Sequence, residues 1–520
     1  MNLWEFIISH GEEIMDQTTQ HVKLTLISMF IASVVGVLIG FIITKIEKMA
    51  FVTLGFVGII QTIPSLALLG FLLPIVGIGT IPAIIALFLY ALLPIVRNTY
   101  TGIKSIDPAV LEASIGMGMT QFQLLKYVEL PLAFPTILAG IRTSTVINVG
   151  LATLCALIAS GGLGEFIFRG ISLNNTNMIL AGAIPASLLS ILLDGFIGLI
   201  QKNYRSKMFR WMVLFMSIAG LLIGYLDQSN NINEERLVAG FNAEFIERED
   251  GYIGLDSLYD LPLEIREMEI ALMYRALFEG DVDVIDGFST DGRIKEFDLK
   301  SLTDDKHYFP PYYAIPLVNG TTAQEYPQLL NAIAVLEHSI NDSVMAELNY
   351  QVDGLKKPLN EVAHDFLRSM NIYSNKNAGR SDNPHIIIGS KAFTENFLLA
   401  HLFAQIIENK TKLKTSLKLG FGGTKLVFDA LRLGEIDIYP EYTGTAYLVL
   451  LGKSPDEAKD FSNAQEIYET VKQDLRDRHT IEVLPSLGFN NTFALMMRSK
   501  HADSLNIHTI SELSDYLNNH

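Results

Sequence analysis

One cysteine, Cys155, stands among 520 residues, so an internal disulfide is excluded and cysteine usage says nothing of the redox compartment. It lies in an apolar stretch and reads as a packing residue. Basic residues are scarce too: 39 Lys and Arg face 56 Asp and Glu, a net charge of −17. A surface of that sign does not neutralise phosphates, which argues against nucleic acid as a partner. The sequence Gly-x-x-x-x-Gly-Lys-Ser/Thr occurs nowhere, so the phosphate-cradling loop of an ATPase is missing. The 11 histidines are scattered, with no metal-ligand spacing and no grouping of nucleophile, base and orienter that would mark an enzyme. The first residues carry Glu5, Glu12, Glu13 and Asp16 in place of a basic region and apolar core. No cleavable signal peptide is therefore expected, and the first apolar span would direct insertion.

Apolar residues are abundant, at 49% of the chain, with a mean hydropathy of +0.30. The excess lies in roughly the first 230 residues, as stretches long enough to cross a hydrocarbon core about 30 Å thick. Six spans are expected, at about 24–44, 51–72, 80–97, 131–158, 179–201 and 210–226. Basic residues follow spans one, three and five: Lys45 and Lys48; Arg97, Lys104 and Lys126; Lys202, Arg205, Lys207 and Arg210. These connections are expected on the cytoplasmic side. Both ends of the membrane half then face outward, and span six delivers the downstream domain to the exterior.

Between spans three and four runs Asp107-Pro108-Ala109-Val110-Leu111-Glu112-Ala113-Ser114, then Gly118, then Glu129-Leu130-Pro131. The pattern predicts a short helix, a glycine-permitted turn and a proline that starts the next span. It resembles the coupling loop of ABC importer permeases, which implies that Glu112, Ala113, Gly118, Leu130 and Pro131 serve docking on an ATPase. Gln61-Thr62-Ile63-Pro64-Ser65, Leu93-Pro94-Ile95-Val96-Arg97-Asn98 and Gly161-Gly162-Leu163-Gly164 resemble the osmoprotectant-uptake members of that family. Pro64 and Pro94 fit pathway lining and packing kinks equally.

Beyond a polar tether at about 227–239 the composition turns acidic and mixed. Short strands such as Ile386-Ile387-Ile388-Gly389 and Asp437-Ile438-Tyr439 alternate with amphipathic helices such as the one from Phe397 to about Glu408, an α/β pattern. A loop-type stretch at about 374–385 separates two unequal segments. The second contains Ile388-Gly389-Ser390-Lys391-Ala392-Phe393-Thr394-Glu395, Gly422-Gly423-Thr424, Tyr439-Pro440-Glu441-Tyr442-Thr443-Gly444-Thr445 and Gly488-Phe489-Asn490-Asn491-Thr492-Phe493. It resembles the first half of a glycine betaine/carnitine/choline-type substrate-binding protein. The first segment, with Glu244-Phe245, Arg248-Glu249-Asp250-Gly251, Tyr274-Arg275-Ala276-Leu277, Phe288-Ser289-Thr290-Asp291-Gly292 and Phe309-Pro310-Pro311-Tyr312, resembles the other half.

The resemblance therefore implies a helical polytopic membrane domain of the type I ABC importer permease class, followed by an α/β two-lobed domain like a periplasmic binding protein. The halves of that domain stand in reversed order, as a circular permutation would place them. The expected layout is a permease at 1–226, the tether at 227–239, the family's carboxyl-terminal half at 240–373, a joining loop at 374–385 and its amino-terminal half at 386–520. Thr509-Ile510-Ser511-Glu512-Leu513 reads as a Ser/Thr-capped helix, and the new termini open after it, near Asn233 and His520. Two half-domains pairing with halves of another subunit would be the alternative.

A trimethylammonium group donates no hydrogen bond, so aromatic faces must hold it, while a betaine's carboxylate wants an arginine fork or a lysine. By resemblance the aromatic box maps onto Tyr442, Phe493, Phe288 and Tyr312, with Asn491 near the cation. Carboxylate anchoring maps onto Lys391, Thr445 and Arg248. Arg248 could instead pair with Glu249 or Asp250. Tyr439, Tyr447 and Tyr313 lie beside mapped residues, so a register in which one replaces its neighbour stays open. Phenylalanine at 288 and 493 replaces family tyrosines, which makes carnitine or ergothioneine as plausible as glycine betaine. Choline, having no carboxylate, would leave Arg248 and Lys391 unpaired and ranks lower. Implied partners are a cytoplasmic ABC ATPase, a second copy of this chain, a small quaternary-ammonium ligand and the lipid bilayer. No cofactor is expected on this chain, ATP and Mg belonging to the ATPase. A membrane-anchored sensor of the same ligands is the alternative function.

Overall fold

In lipid a segment must satisfy its own backbone polar groups, and the apolar first part of the chain does so as helices. The computed structural model describes residues 2–173, 175–203, 237–248, 250–372, 385–454, 457 and 463–519. Nearly all of those up to 203 form one compact unit and those from 237 onward another.

In the first unit the helices Gly11–Lys45, Thr80–Lys104, Gln121–Ile158 and Thr176–Lys202 are each long and apolar enough to cross a membrane. The span expected at about 51–72 is not one helix. Glu47–Thr62 and Ser65–Val76 meet at an angle of 95°. Pro64 is the cause: a residue before proline is pushed out of the helical region, and Ile63 sits at φ −67°, ψ 128°. The carbonyl of Ile63 is taken by the Tyr90 hydroxyl. The sixth expected span, Arg205, Lys207, Arg210, most of the tether and most of the joining loop lie outside the described residues.

Pro131 also behaves differently from expectation. It does not begin a span, because the helix already runs from Gln121. A π-turn at Leu125–Glu129, in which the Leu130 amide reaches back to the Leu125 carbonyl, widens the backbone just ahead of the ring, the usual device for keeping an interrupted helix continuous. Pro94 lies inside an unbroken helix, flanked by polar partners: the Asn98 amide donates to the Pro94 carbonyl at 2.8 Å and the Ser144 hydroxyl to the Ala91 carbonyl at 2.9 Å. Small residues let these helices approach closely; a side chain at Gly40 would overlap Thr99.

The second unit holds two five-stranded sheets. The first contains β1 (Val238–Phe241), β2 (Glu264–Glu267), β3 (Val284–Phe288), β4 (Leu299–Ser301) and β10 (Phe493–Arg498), in the order β2-β1-β3-β10-β4. The second contains β5 (Ala314–Asn319), β6 (His385–Gly389), β7 (Lys414–Lys418), β8 (Ile438–Tyr442) and β9 (Ile481–Val483), in the order β7-β6-β8-β5-β9. The sheets share one plan. In each, three strands run parallel, and the next is an antiparallel strand that has just crossed from the other lobe. The chain crosses twice, between β4 and β5 and between β9 and β10. The two crossings run side by side: the Leu487 amide donates to the Ala314 carbonyl at 2.9 Å, Tyr313 and Asn490 form an antiparallel bridge, and the Asn491 amide donates to the Tyr312 carbonyl at 3.1 Å. Both sequence segments thus contribute a strand to each other's sheet within one chain. The expected cap near the end is present, with Thr509 Oγ1 accepting from the Glu512 amide and Glu512 from the Thr509 amide.

Candidate ligand-binding site

Ligand sites of open α/β sheets lie beyond the carboxyl ends of parallel strands, and the sequence-predicted residues gather there. Phe288 closes β3, Tyr442 closes β8, Lys391 follows β6, and Phe493 opens the antiparallel β10 directly opposite Phe288. Tyr312 and Asn491 sit on the paired crossings. Arg248 follows the short helix Ala243–Glu247, and Thr445 lies just past Tyr442. All eight face one region between the lobes, and all but the half-buried Phe288 are buried.

The rings form a continuous run. Tyr442 stacks on Phe393 at 6.2 Å between centroids, Phe393 on Phe288 at 5.3 Å, Phe288 meets Phe493 at 5.3 Å, and Phe493 meets Tyr312 edge-on at 5.5 Å. Phe393 is an addition to the expected set. Rings this close leave no room for a cation between them, so a ligand must part them or lie along their flank. A small, narrow cleft runs along that flank, bounded by Phe288, Phe393, Asp291, Asn349, Asp353, Thr394, Glu395 and Asn491, and a ligand would have to widen it.

Both cations expected to anchor a carboxylate are already engaged. The fork of Arg248 grips Asp250, with Nε at 2.7 Å from Oδ1 and Nη2 on Oδ2. The Tyr312 hydroxyl donates to that same carboxylate. Arg248 also lies 3.5 Å from Thr445 Oγ1 and 5.3 Å over the Phe493 ring. Burial alone would raise the Asp250 carboxyl, but the Arg248 charge and hydrogen bonds more than offset it and hold the group below the usual range. Lys391 Nζ lies 2.5 Å from Glu441 Oε1, with its charge 5.4 Å from the Tyr442 ring. A ligand lacking a carboxylate therefore leaves neither cation unpaired, and the reason for ranking choline lower does not hold. Tyr439 is also settled by geometry: its hydroxyl donates to Glu441 at 3.0 Å.

Glu395 is the main site residue that sequence reasoning missed. Its carboxylate accepts from Thr290 Oγ1 at 2.5 Å, Asn349 Nδ2 at 2.9 Å, Asn491 Nδ2 at 2.8 Å and the Tyr442 hydroxyl at 2.7 Å. Burial pushes its pKa up to about 7, even though those donors favour the charged form. An acidic residue in the first turn of a helix, here Thr394–Lys410, is ordinary and gives no signal. Asn349 offered a usable one, a polar residue four positions after buried Met345 on the inward face of Asp342–Asp353. The two lobes also touch through Glu244, which accepts at 2.7 Å from the amide that begins the helix Thr424–Arg432.

In the helical unit the coupling segment is built as expected up to its turn. Pro108–Gly116 is helical, with Asp107 accepting from the Ala109 amide at 2.9 Å, and the turn is made by Gly118 at φ +82°. Val110, Ile115, Met117 and Phe122 are exposed along it, as are Glu112, Ala113, Gly118 and Pro131. Leu130 is half-buried. Glu129 is buried and bonded by Lys45 Nζ at 2.9 Å.

Helices long and apolar enough to cross a membrane, in one chain with a two-lobed α/β domain joined by paired crossings, have the make-up of a binding-protein-dependent membrane transporter. Residues 226–369 and 384–520 match the family described as the substrate binding domain of ABC-type glycine betaine transport systems, and residues 32–206 match the binding-protein-dependent transport system inner membrane component. The chain belongs to this ABC-type transport family, as a multi-pass membrane protein with its binding domain on the outer side. It is 43% identical over 202 residues to the glycine betaine/carnitine/choline transport system permease protein OpuCB of Bacillus subtilis, covering 39% of this chain and 93% of that one. It is 42% identical over 205 residues to the carnitine transport permease protein OpuCB of Listeria monocytogenes, covering 39% and 94%. The ergothioneine transport permease/ergothioneine binding protein EgtU of Helicobacter pylori is 28% identical, covering 66% of this chain and 88% of its own.

Proposed function

We propose that this chain is the permease and receptor of an importer for small quaternary-ammonium compounds, a group that includes glycine betaine, carnitine, choline and ergothioneine. The aromatic run ending beside the buried Glu395 carries this reading, because faces of rings and a carboxylate are what a non-donating cation can use. A separate ATPase, binding ATP and Mg, docks on the coupling helix, and two copies of this chain form the pathway. The binding domain is circularly permuted. Its support is the division of the family match into 226–369 and 384–520, together with sheets completed by strands from both segments.

Calorimetry on the full-length chain in nanodiscs tests the ligand class. Saturable heat is expected for at least one of the four compounds, and negligible heat for all of them on folded protein sinks the assignment. Transport is tested separately with Gly118→Asp. A side chain at φ +82° is strained, and the variant is expected to bind ligand normally while losing ATP-driven uptake. Uptake equal to wild type would remove the coupling role.

A further inference from the structure

The cleft beside the rings offers more hydrogen-bond acceptors than a quaternary ammonium can use. Asn349 is 2% exposed and lines the cleft. Its orientation is fixed, because Nδ2 donates to the Thr290 carbonyl and to Glu395, both at 2.9 Å. Its Oδ1 is buried with no hydrogen-bond partner among the described residues. Asp353 lines the same cleft; Oδ1 accepts from Thr394 Oγ1 at 2.7 Å, and Oδ2 is buried with no partner among the described residues. Buried polar atoms are rarely left unmade, since each costs about 1–3 kcal/mol. Neighbouring groups do not supply the missing donors. Arg293 is committed to Asp291 at 2.6 Å and stacks on Tyr274, and the Thr290 and Thr394 hydroxyls are already donating.

We infer that Asn349 Oδ1 and Asp353 Oδ2 form a subsite for a hydrogen-bond-donating group of the ligand, so that the preferred substrate is a quaternary-ammonium compound that also carries an O–H or ring N–H. This rests on the proposed ligand class and narrows it. Phe288 and Phe393 hold the methylated head against the flank of the cleft, and the donor reaches the two free acceptors at its far wall. Glycine betaine has no donor and leaves them empty.

The test uses matched pairs that differ by a donor but not by charge, titrated by calorimetry into the full-length chain in nanodiscs: choline against its methyl ether, carnitine against γ-butyrobetaine, and the trimethylbetaine of histidine against that of phenylalanine. The donor-bearing member of at least one pair is expected to bind about tenfold more tightly, as one hydrogen bond to a charged or buried acceptor allows. Asp353→Asn turns the free acceptor into a donor while keeping Oδ1 for Thr394. It is expected to collapse the preference within that pair, and because the members carry equal charge the ratio is insensitive to the lost carboxylate. Asn349→Leu is the second variant and should act in the same direction. Pairs that agree within twofold, or a preference that both variants leave intact, overturn the subsite while leaving the ligand class standing. No binding by any of the six compounds, nor by glycine betaine or ergothioneine, on folded protein removes the ligand class and the subsite together; binding of glycine betaine alone overturns only the subsite.

Discussion

Glu395 is a buried carboxylate whose charge is contested. Burial raises its pKa, the hydrogen bonds from Thr290, Tyr442 and Asn349 lower it, nearby Asp291 raises it further, and the outcome is about 7. The other charged groups around it are Asp353 at the end of the helix Asp342–Asp353, Asp291 paired with Arg293, and Lys391 paired with Glu441. A cationic ligand in the cleft favours the ionised form and lowers this pKa, so binding releases a proton. Affinity should therefore rise with pH up to about 7, by at most tenfold per unit, and then level off. Titrations from acid to alkaline pH, in buffer pairs of different ionisation enthalpy, count the proton directly. Glu395→Gln should remove the slope, and a slope that survives in this variant assigns the proton elsewhere. This residue was illegible in the sequence because its neighbours come from four distant stretches. Tyr442, Phe493, Phe288 and Tyr312 were legible because each sits in a recognisable local motif, whereas Phe393 lies within such a motif too and gives no sign there of its place between two rings. Local pattern did offer Asp250 as a partner for Arg248, and that pairing forms; what it did not show is that the pair is buried, with Arg248 beside Thr445.

At the scale of elements, apolar length found the helices and proline decided where they break. Hydropathy averages over a window, so it reports 51–72 as one apolar run; the break comes from the conformational restriction on Ile63, which no average contains. The same residue type at Pro131 leaves its helix continuous because a π-turn precedes it. In the bent pair, a backbone group released in lipid needs a donor, and Tyr90 supplies it to Ile63. Tyr90→Phe should therefore destabilise the membrane unit by roughly 1–3 kcal/mol, seen as a lower midpoint of thermal unfolding in detergent. A midpoint equal to wild type would show that the carbonyl has another partner. Strands were easier to read than spans: Ile386–Gly389 is a short apolar run ended by glycine, and Ile438-Tyr439 marks the start of β8, which continues through Pro440 and Glu441 to Tyr442; both are central strands of one sheet.

At the scale of the whole molecule, sequence order and spatial order part company in the receptor. The chain enters the first sheet at β1, crosses to build the whole of the second, and returns through β10. Its last helix, Ile510–Asn519, packs back on the first sheet's lobe, where Asn518 Nδ2 donates to the Asp260 carbonyl at 3.0 Å. Beginning and end of the domain thus lie in one lobe, the condition under which a chain can be reopened elsewhere. At the junction of the two segments, Leu359–Ser369 packs against Thr394–Lys410, so these helices are neighbours whether or not 373–384 connects them. A permuted receptor should then tolerate restoration of the other order. A chain in which residues 385–520 precede 237–372, with a short flexible linker joining 520 to 237, keeps every strand pair and both crossings except that the first is now formed last. Its ligand affinity should fall within about threefold of the native order, since connectivity changes neither the rings nor the carboxylates of the site. Folded protein with affinity lost by more than a hundredfold would mean that the native order itself shapes the hinge, and the permutation account would have to be abandoned.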